Sequence, residues 1–94
     1  MEERIVEKFL IYELAEHKPK TDVWRVLENG TPIIESGVLP HLPLLGEIKW
    51  YANWRHYCFF AEPCIFSDRC LQSIKDFVTK LNEEHKLSRI KEEV

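Results

Sequence analysis

Five residues of one short stretch have types and spacing that could do chemistry. In GEIKWYANWRHYCFF, Gly46 to Phe60, Lys49, Tyr51, Trp54, Arg55 and His56 interleave cationic and aromatic groups. The stretch holds six of the chain's eleven aromatic residues. An aromatic face stacks on a nucleobase for ~1–3 kcal/mol, whatever the base. A neighbouring Lys or Arg holds phosphate, the guanidinium adding a planar fork of donors. Lys49, Tyr51, Trp54, Arg55 and His56 are therefore the candidate ligand-binding residues, and the chemistry they suggest is capture of a nucleotide-like anion.

Other chemistries find less support. Cys58, Cys64, Cys70 and His56 lie close in sequence, and tetrahedral zinc accepts Cys and His. The Cys-x5-Cys-x5-Cys spacing matches no compact zinc knuckle, so three reduced thiols and no metal are expected. Cys70 falls in the first turn of a predicted helix, where the dipole can lower a thiol pKa, but only His56 is in view as a base. No Ser-His-Asp or paired-carboxylate arrangement is legible, and Glu47 and Glu62 read as solvated charges. Gly30, Gly37 and Gly46 form neither a P-loop nor a dinucleotide fingerprint. The expectation is a protein that binds without catalysing and uses no cofactor.

The elements that must position these residues come next. A strand is expected over roughly residues 7–15, where Phe9 to Tyr12 is bulky and apolar. DVWRVLE, Asp22 to Glu28, alternates as a strand does. Asn29-Gly30 is a strong hairpin signal, although Pro32 limits the return to an edge or a very short strand. Gly37 to Gly46 reads as an irregular apolar loop. The candidate stretch is then a hairpin with Ala52-Asn53 at its turn, Trp50 facing Arg55, Ile48 facing Tyr57 and Gly46 facing Phe59. Cross-strand partners share a face. One face carries Ile48, Trp50, Arg55, Tyr57 and Phe59, and is the core face, with Arg55 placed to form a cation–π pair with Trp50. The other carries Leu45, Glu47, Lys49, Tyr51, Trp54, His56, Cys58 and Phe60, and is the wet one.

Ser67 is a good N-cap and Asp68 suits the positive end of a helix dipole. Leu71, Ile74, Phe77, Val78 and Leu81 then recur at helical spacing, one stripe to lay on a sheet. Leu87, Ile90 and Val94 fall on the opposite side, which suggests either a frayed end or a contact with another copy. His17, His41 and His85 sit in polar or loop contexts and are expected at the surface. The fold class is α+β: an antiparallel sheet of three to four strands with one long C-terminal helix on one face, residues 1–94 forming a single domain.

Composition bounds the partners. A net charge of −3 and a pI near 5.8 argue against a protein that coats long nucleic acid. No apolar run suits a membrane span or a signal core, and an odd number of cysteines fits a reducing compartment. A cytoplasmic homo-oligomer is the expectation.

KTDVW, LGEIKWYANWRHYCFF and then EP before CLQSIKDFVTKL resemble a family of small uncharacterised proteins of bacteriophages and bacteria. Its members share a pattern like LGxIxWYxxWRxYxF, followed by Pro and an amphipathic helix. The resemblance spans about Lys20 to Leu81, and the segment Thr31 to Leu44 is longer than the usual connection. It implies the same α+β fold and a phage-like context, and transfers no functional residue. Three functions follow as expectations. The first is a phage-type accessory protein that sequesters a nucleotide-like ligand and so blunts a host defence signal. The second is a module docking on a host or phage protein through Tyr51, Trp54 and the second helix stripe. The third is a weak binder of single-stranded nucleic acid.

Overall fold

The computed structural model describes residues 3–92 and shows an α+β chain. Five strands precede one helix: β1 Arg4–Val6, β2 Leu10–His17, β3 Asp22–Glu28, β4 Leu44–Tyr51, β5 His56–Ala61 and α1 Asp68–Glu92. The strands form an antiparallel meander in chain order, β1-β2-β3-β4-β5. The expected three to four strands are thus five. The extra one is β1, which precedes the expected first strand and whose residues are all exposed. No buried alternation marked it.

Alternation decides which residues meet the helix. Leu10 and Tyr12 of β2, Trp24 and Val26 of β3, Ile48 of β4 and Tyr57 of β5 are buried in one cluster with Ile74 of α1. Phe77 stacks flat on Tyr12, ring centroids 4.2 Å apart, and meets Trp24 edge-on at 5.2 Å. Such pairs contribute about 0.5–1.5 kcal/mol each beyond the area they bury. Burial also pushes the Tyr12 hydroxyl up to about 12, and that hydroxyl lies 2.6 Å from Ser73 Oγ.

The helix begins where capping places it. The Ser67 side chain accepts the Cys70 N–H at 3.2 Å and its carbonyl accepts the Leu71 N–H at 3.0 Å. The buried stripe is Cys70, Ile74, Phe77, Val78 and Leu81, whereas Leu71 is exposed. His85 is not the surface residue expected of it. It sits one turn beyond Leu81 and packs on Trp50, centroids 4.5 Å apart, and on Tyr57 at 6.2 Å. Of the second stripe, Leu87 is exposed, while the Ile90 side chain and Val94 lie outside the described residues.

Two details of the chain path differ from the sequence reading. Asn29-Gly30 closes no hairpin, because β3 takes β4 as its partner and only an isolated bridge, Ile33 with His41, forms in between. Asn29 is occupied elsewhere: its Nδ2 donates to the Glu7 carbonyl at 2.7 Å and its backbone N–H to Phe9 at 2.9 Å. The second difference is a bulge in β4, where Leu44 pairs with Leu27 and Gly46 with Val26, leaving Leu45 between them. Gly46 has a φ of 156°, and a Cβ there would sit 2.5 Å from the Phe60 carbonyl oxygen and 2.7 Å from the Phe59 ring. Only glycine fits.

The helix guards one sheet edge. Asn82 Oδ1 accepts the Tyr57 N–H at 2.6 Å, and its Nδ2 donates to the Tyr57 carbonyl at 3.4 Å. One side-chain amide thereby takes the place of a sixth strand on the outer rim of β5.

Candidate functional site

The hairpin of β4 and β5 pairs Tyr51 with His56, Trp50 with Tyr57, Lys49 with Cys58, Ile48 with Phe59 and Glu47 with Phe60. Its turn is therefore the four residues Ala52 to Arg55, and not Ala52-Asn53. A two-residue type I′ turn demands positive φ at both central positions, which alanine resists. The longer turn needs it once, at Arg55 with φ 54°. Trp54 N–H donates to the Tyr51 carbonyl at 3.2 Å and Arg55 N–H to the Ala52 carbonyl at 3.3 Å.

The register differs from expectation by two residues, and a slip of two preserves the faces. Ile48, Trp50, Tyr57 and Phe59 point to the helix; Lys49, Tyr51, His56, Cys58 and Phe60 point away from it. Leu45, at the bulge, is buried in the helix-side core cluster instead of lying on the wet face. Arg55 is the other exception. It lies in the turn, and Trp50 faces Tyr57 edge-on at 5.6 Å instead, so the anticipated Arg55–Trp50 pair does not form.

On the helix-free face the side chains meet. Tyr51 packs edge-on against Trp54 at 5.0 Å and against Phe60 at 5.8 Å. Trp54 lies near-parallel to His56, with 24° between the planes and 6.1 Å between centroids. Lys49 Nζ stands 4.7 Å above the Phe60 ring and 3.9 Å from a Glu47 carboxylate oxygen. Asn53 Nδ2 donates to the Tyr51 hydroxyl at 3.0 Å. His56 Nδ1 is 2.9 Å from the Tyr57 carbonyl, which as an acceptor calls for the Nδ1–H tautomer and leaves Nε2 outward. Trp54 remains 65 % exposed. Lys49, Tyr51, Trp54 and His56 are thus brought together, with Arg55 at the rim through its backbone position.

Two further residues belong to this patch. Phe60 is the floor on which Tyr51 and Lys49 rest. Cys58, directly opposite Lys49, has its Sγ 3.8 Å from His56 Nδ1, and burial pushes its thiol pKa up. Period-two alternation from His56 placed both on the wet face in the sequence.

Beyond the hairpin the same face continues across the sheet. Register aligns Arg4 of β1, Glu13 of β2, Arg25 of β3 and Glu47 of β4 in one row ending at Phe60. Arg4 Nη2 is 3.4 Å and Arg25 Nη1 3.9 Å from Glu13 carboxylate oxygens. This row was invisible without the topology.

The patch is flat. The described cavities open elsewhere: one of about 740 Å³ at the sheet end remote from the β4–β5 turn, bounded by Phe9, Leu44, Ile65 and Phe66, and two of about 510 and 260 Å³ beside Glu7 and Ser73. Among the described residues no three His, Cys, Asp or Glu side chains gather as a metal site, and no helix is long and apolar enough to cross a membrane.

Comparison of the chain with family models, curated proteins and solved structures found no match.

Proposed function

We propose that the protein is a small non-enzymatic binding module whose helix-free sheet face captures a nucleotide-like anion. Trp54 and Tyr51 offer the nucleobase a stacking surface, and Lys49, His56 and Arg55 meet the phosphate. The observation that carries this reading is the 65 % exposure of Trp54, held by Tyr51 and His56 on either side instead of being buried. An exposed indole braced in this way costs solvation and needs a reason. Lys49 adds a cation within the same cluster.

The test is a titration of a panel of nucleoside mono- and triphosphates, followed by thermal shift and tryptophan fluorescence. Stacking worth ~1–3 kcal/mol corresponds to roughly a five- to 150-fold weaker affinity for Trp54→Ala. That variant should fold normally, since the side chain is outside the core. No shift across the panel would refute the reading.

A second reading, docking on a protein partner through Trp54 and Tyr51, is favoured by the position of these two residues outside the lining of every described cavity. It predicts a partner that co-purifies with the wild-type chain and is lost from Trp54→Ala. Of the helix stripe that suggested self-association, Leu87 is exposed among the described residues. Native mass spectrometry reads retained ligand and oligomeric state together.

A further inference from the structure

We infer that the ligand of this face is a short single strand of nucleic acid, longer than one nucleotide, that runs from the aromatic corner across the sheet toward β1. The inference rests on the nucleotide reading above and deepens it. Its basis is the row Arg4, Glu13, Arg25, Glu47 and the way its charges are layered. The Arg4 and Arg25 side chains are 51 % and 50 % exposed, whereas Glu13 between them is only 17 % exposed. The carboxylate is recessed and the guanidinium groups project above it. Glu47, 39 % exposed, lies 3.9 Å from Lys49, 41 % exposed, and Glu16 farther along the face, 59 % exposed, lies 3.4 Å from Lys18.

In a chain of net charge −3, the exposed cations Arg4, Arg25 and Lys49 along and beside this row therefore outnumber its one well-exposed carboxylate, Glu47. Neighbouring strands lie ~4.8 Å apart, so the three spacings from β1 to β4 extend about 14 Å. A lone phosphate beside Lys49 leaves Arg4 and Arg25 without a role. A backbone that carries successive phosphates over the sheet, with a base stacked on Trp54 and Tyr51, engages all three. A sheet face with exposed aromatics at one corner suits it, because unpaired bases lie on aromatic side chains while the backbone follows a basic track.

The test compares a mononucleotide, a dinucleotide and a tetranucleotide, as ribo- and deoxyribo-series, against wild type, Trp54→Ala, the pair Arg4→Ala/Arg25→Ala, and Glu13→Gln. Affinity should rise at least about tenfold from mononucleotide to tetranucleotide. With Arg4, Arg25, Lys49 and Arg55 engaged, the slope of log affinity against log salt should be about −2.8 for the tetranucleotide, and about −1.4 for the mononucleotide held by Lys49 and Arg55. The double arginine variant should bring the tetranucleotide slope to about −1.4 and leave mononucleotide binding unchanged. Glu13→Gln should tighten tetranucleotide binding, since it removes the recessed carboxylate while leaving both arginines; a merely structural row would not respond so. Trp54→Ala should weaken every length. Equal affinity at all lengths, or a double arginine variant that keeps the wild-type slope, would overturn the inference and leave the nucleotide reading standing. Absence of binding at any length would overturn both. The two series distinguish RNA from DNA, and a preference for either supports the inference.

Discussion

Replacing Gly46 with alanine should cost far more than replacing either other glycine. Two effects add at this position. The φ of 156° lies where an L-residue is strained, worth on the order of 1–3 kcal/mol. The new Cβ would then stand 2.5 Å from the Phe60 carbonyl oxygen and 2.7 and 2.8 Å from two Phe59 ring carbons. A ring can swing aside, but a ladder carbonyl moves only with its strand, and overpacking of this kind costs ~1–3 kcal/mol. We expect a loss of about 3 kcal/mol or more, which for a domain of this size lowers Tm by roughly 12–24 °C. Gly37→Ala separates the two effects, because its φ is 80° with nothing within 4 Å of the added carbon. It should cost about 1 kcal/mol. Gly30 has no positive φ and its nearest neighbour is 3.8 Å away, so Gly30→Ala should be close to neutral. Urea unfolding of the three variants gives the series directly. If Gly46→Ala unfolds within 1 kcal/mol of Gly37→Ala, the close approach of β4 and β5 at the bulge is wrong. The register that sets the binding face would then be wrong with it.

Alkaline pH should weaken the core through Tyr12. Its folded pKa of about 12 stands above the ordinary value of 10, so its stabilising contribution is complete below pH 10 and is lost as pH rises from 10 toward 12. On the order of 2 kcal/mol should disappear over that window in wild type, and Tyr12→Phe should flatten that part of the curve measured by chemical unfolding; an unchanged slope would count against the buried hydroxyl. Asn82→Ala should destabilise by about 1–2 kcal/mol, because it leaves the Tyr57 N–H without its partner, while the Tyr57 carbonyl keeps His56 Nδ1 at 2.9 Å. It should also raise the tendency to associate through the bared rim of β5, read by light scattering. A variant that stays as stable and as dispersed as wild type would show that the edge is not protected in this way.

The two-residue period explains how much of this was legible. Alternation in EIKWY and HYCFF assigned Ile48, Trp50, Tyr57 and Phe59 to the core and Lys49, Tyr51 and His56 to the opposite face. The turn was nevertheless wrong by two residues, and an even slip leaves the faces intact. Arg55 was misplaced because it belongs to no strand. Asn29-Gly30 carried a strong local signal, but pairing with β4 and the bonds of Asn29 to the β1–β2 turn outweighed it. β1 had no buried residue to betray it. His85 read as a surface residue from its neighbours, although its spacing of four from Leu81 was the sign that it would reach Trp50. The Arg4–Glu13–Arg25 row depends on which strands are adjacent, and no local pattern encodes that.

The most direct measurement is a map of amide and side-chain NMR shifts as a nucleoside monophosphate is added. The account predicts that the Trp54 indole, Tyr51, Lys49 and His56 move together, while Trp24, Tyr12 and Phe77 beneath the helix stay still. Perturbation confined to the Phe9–Phe66 cavity, or to no residue at all, would contradict it.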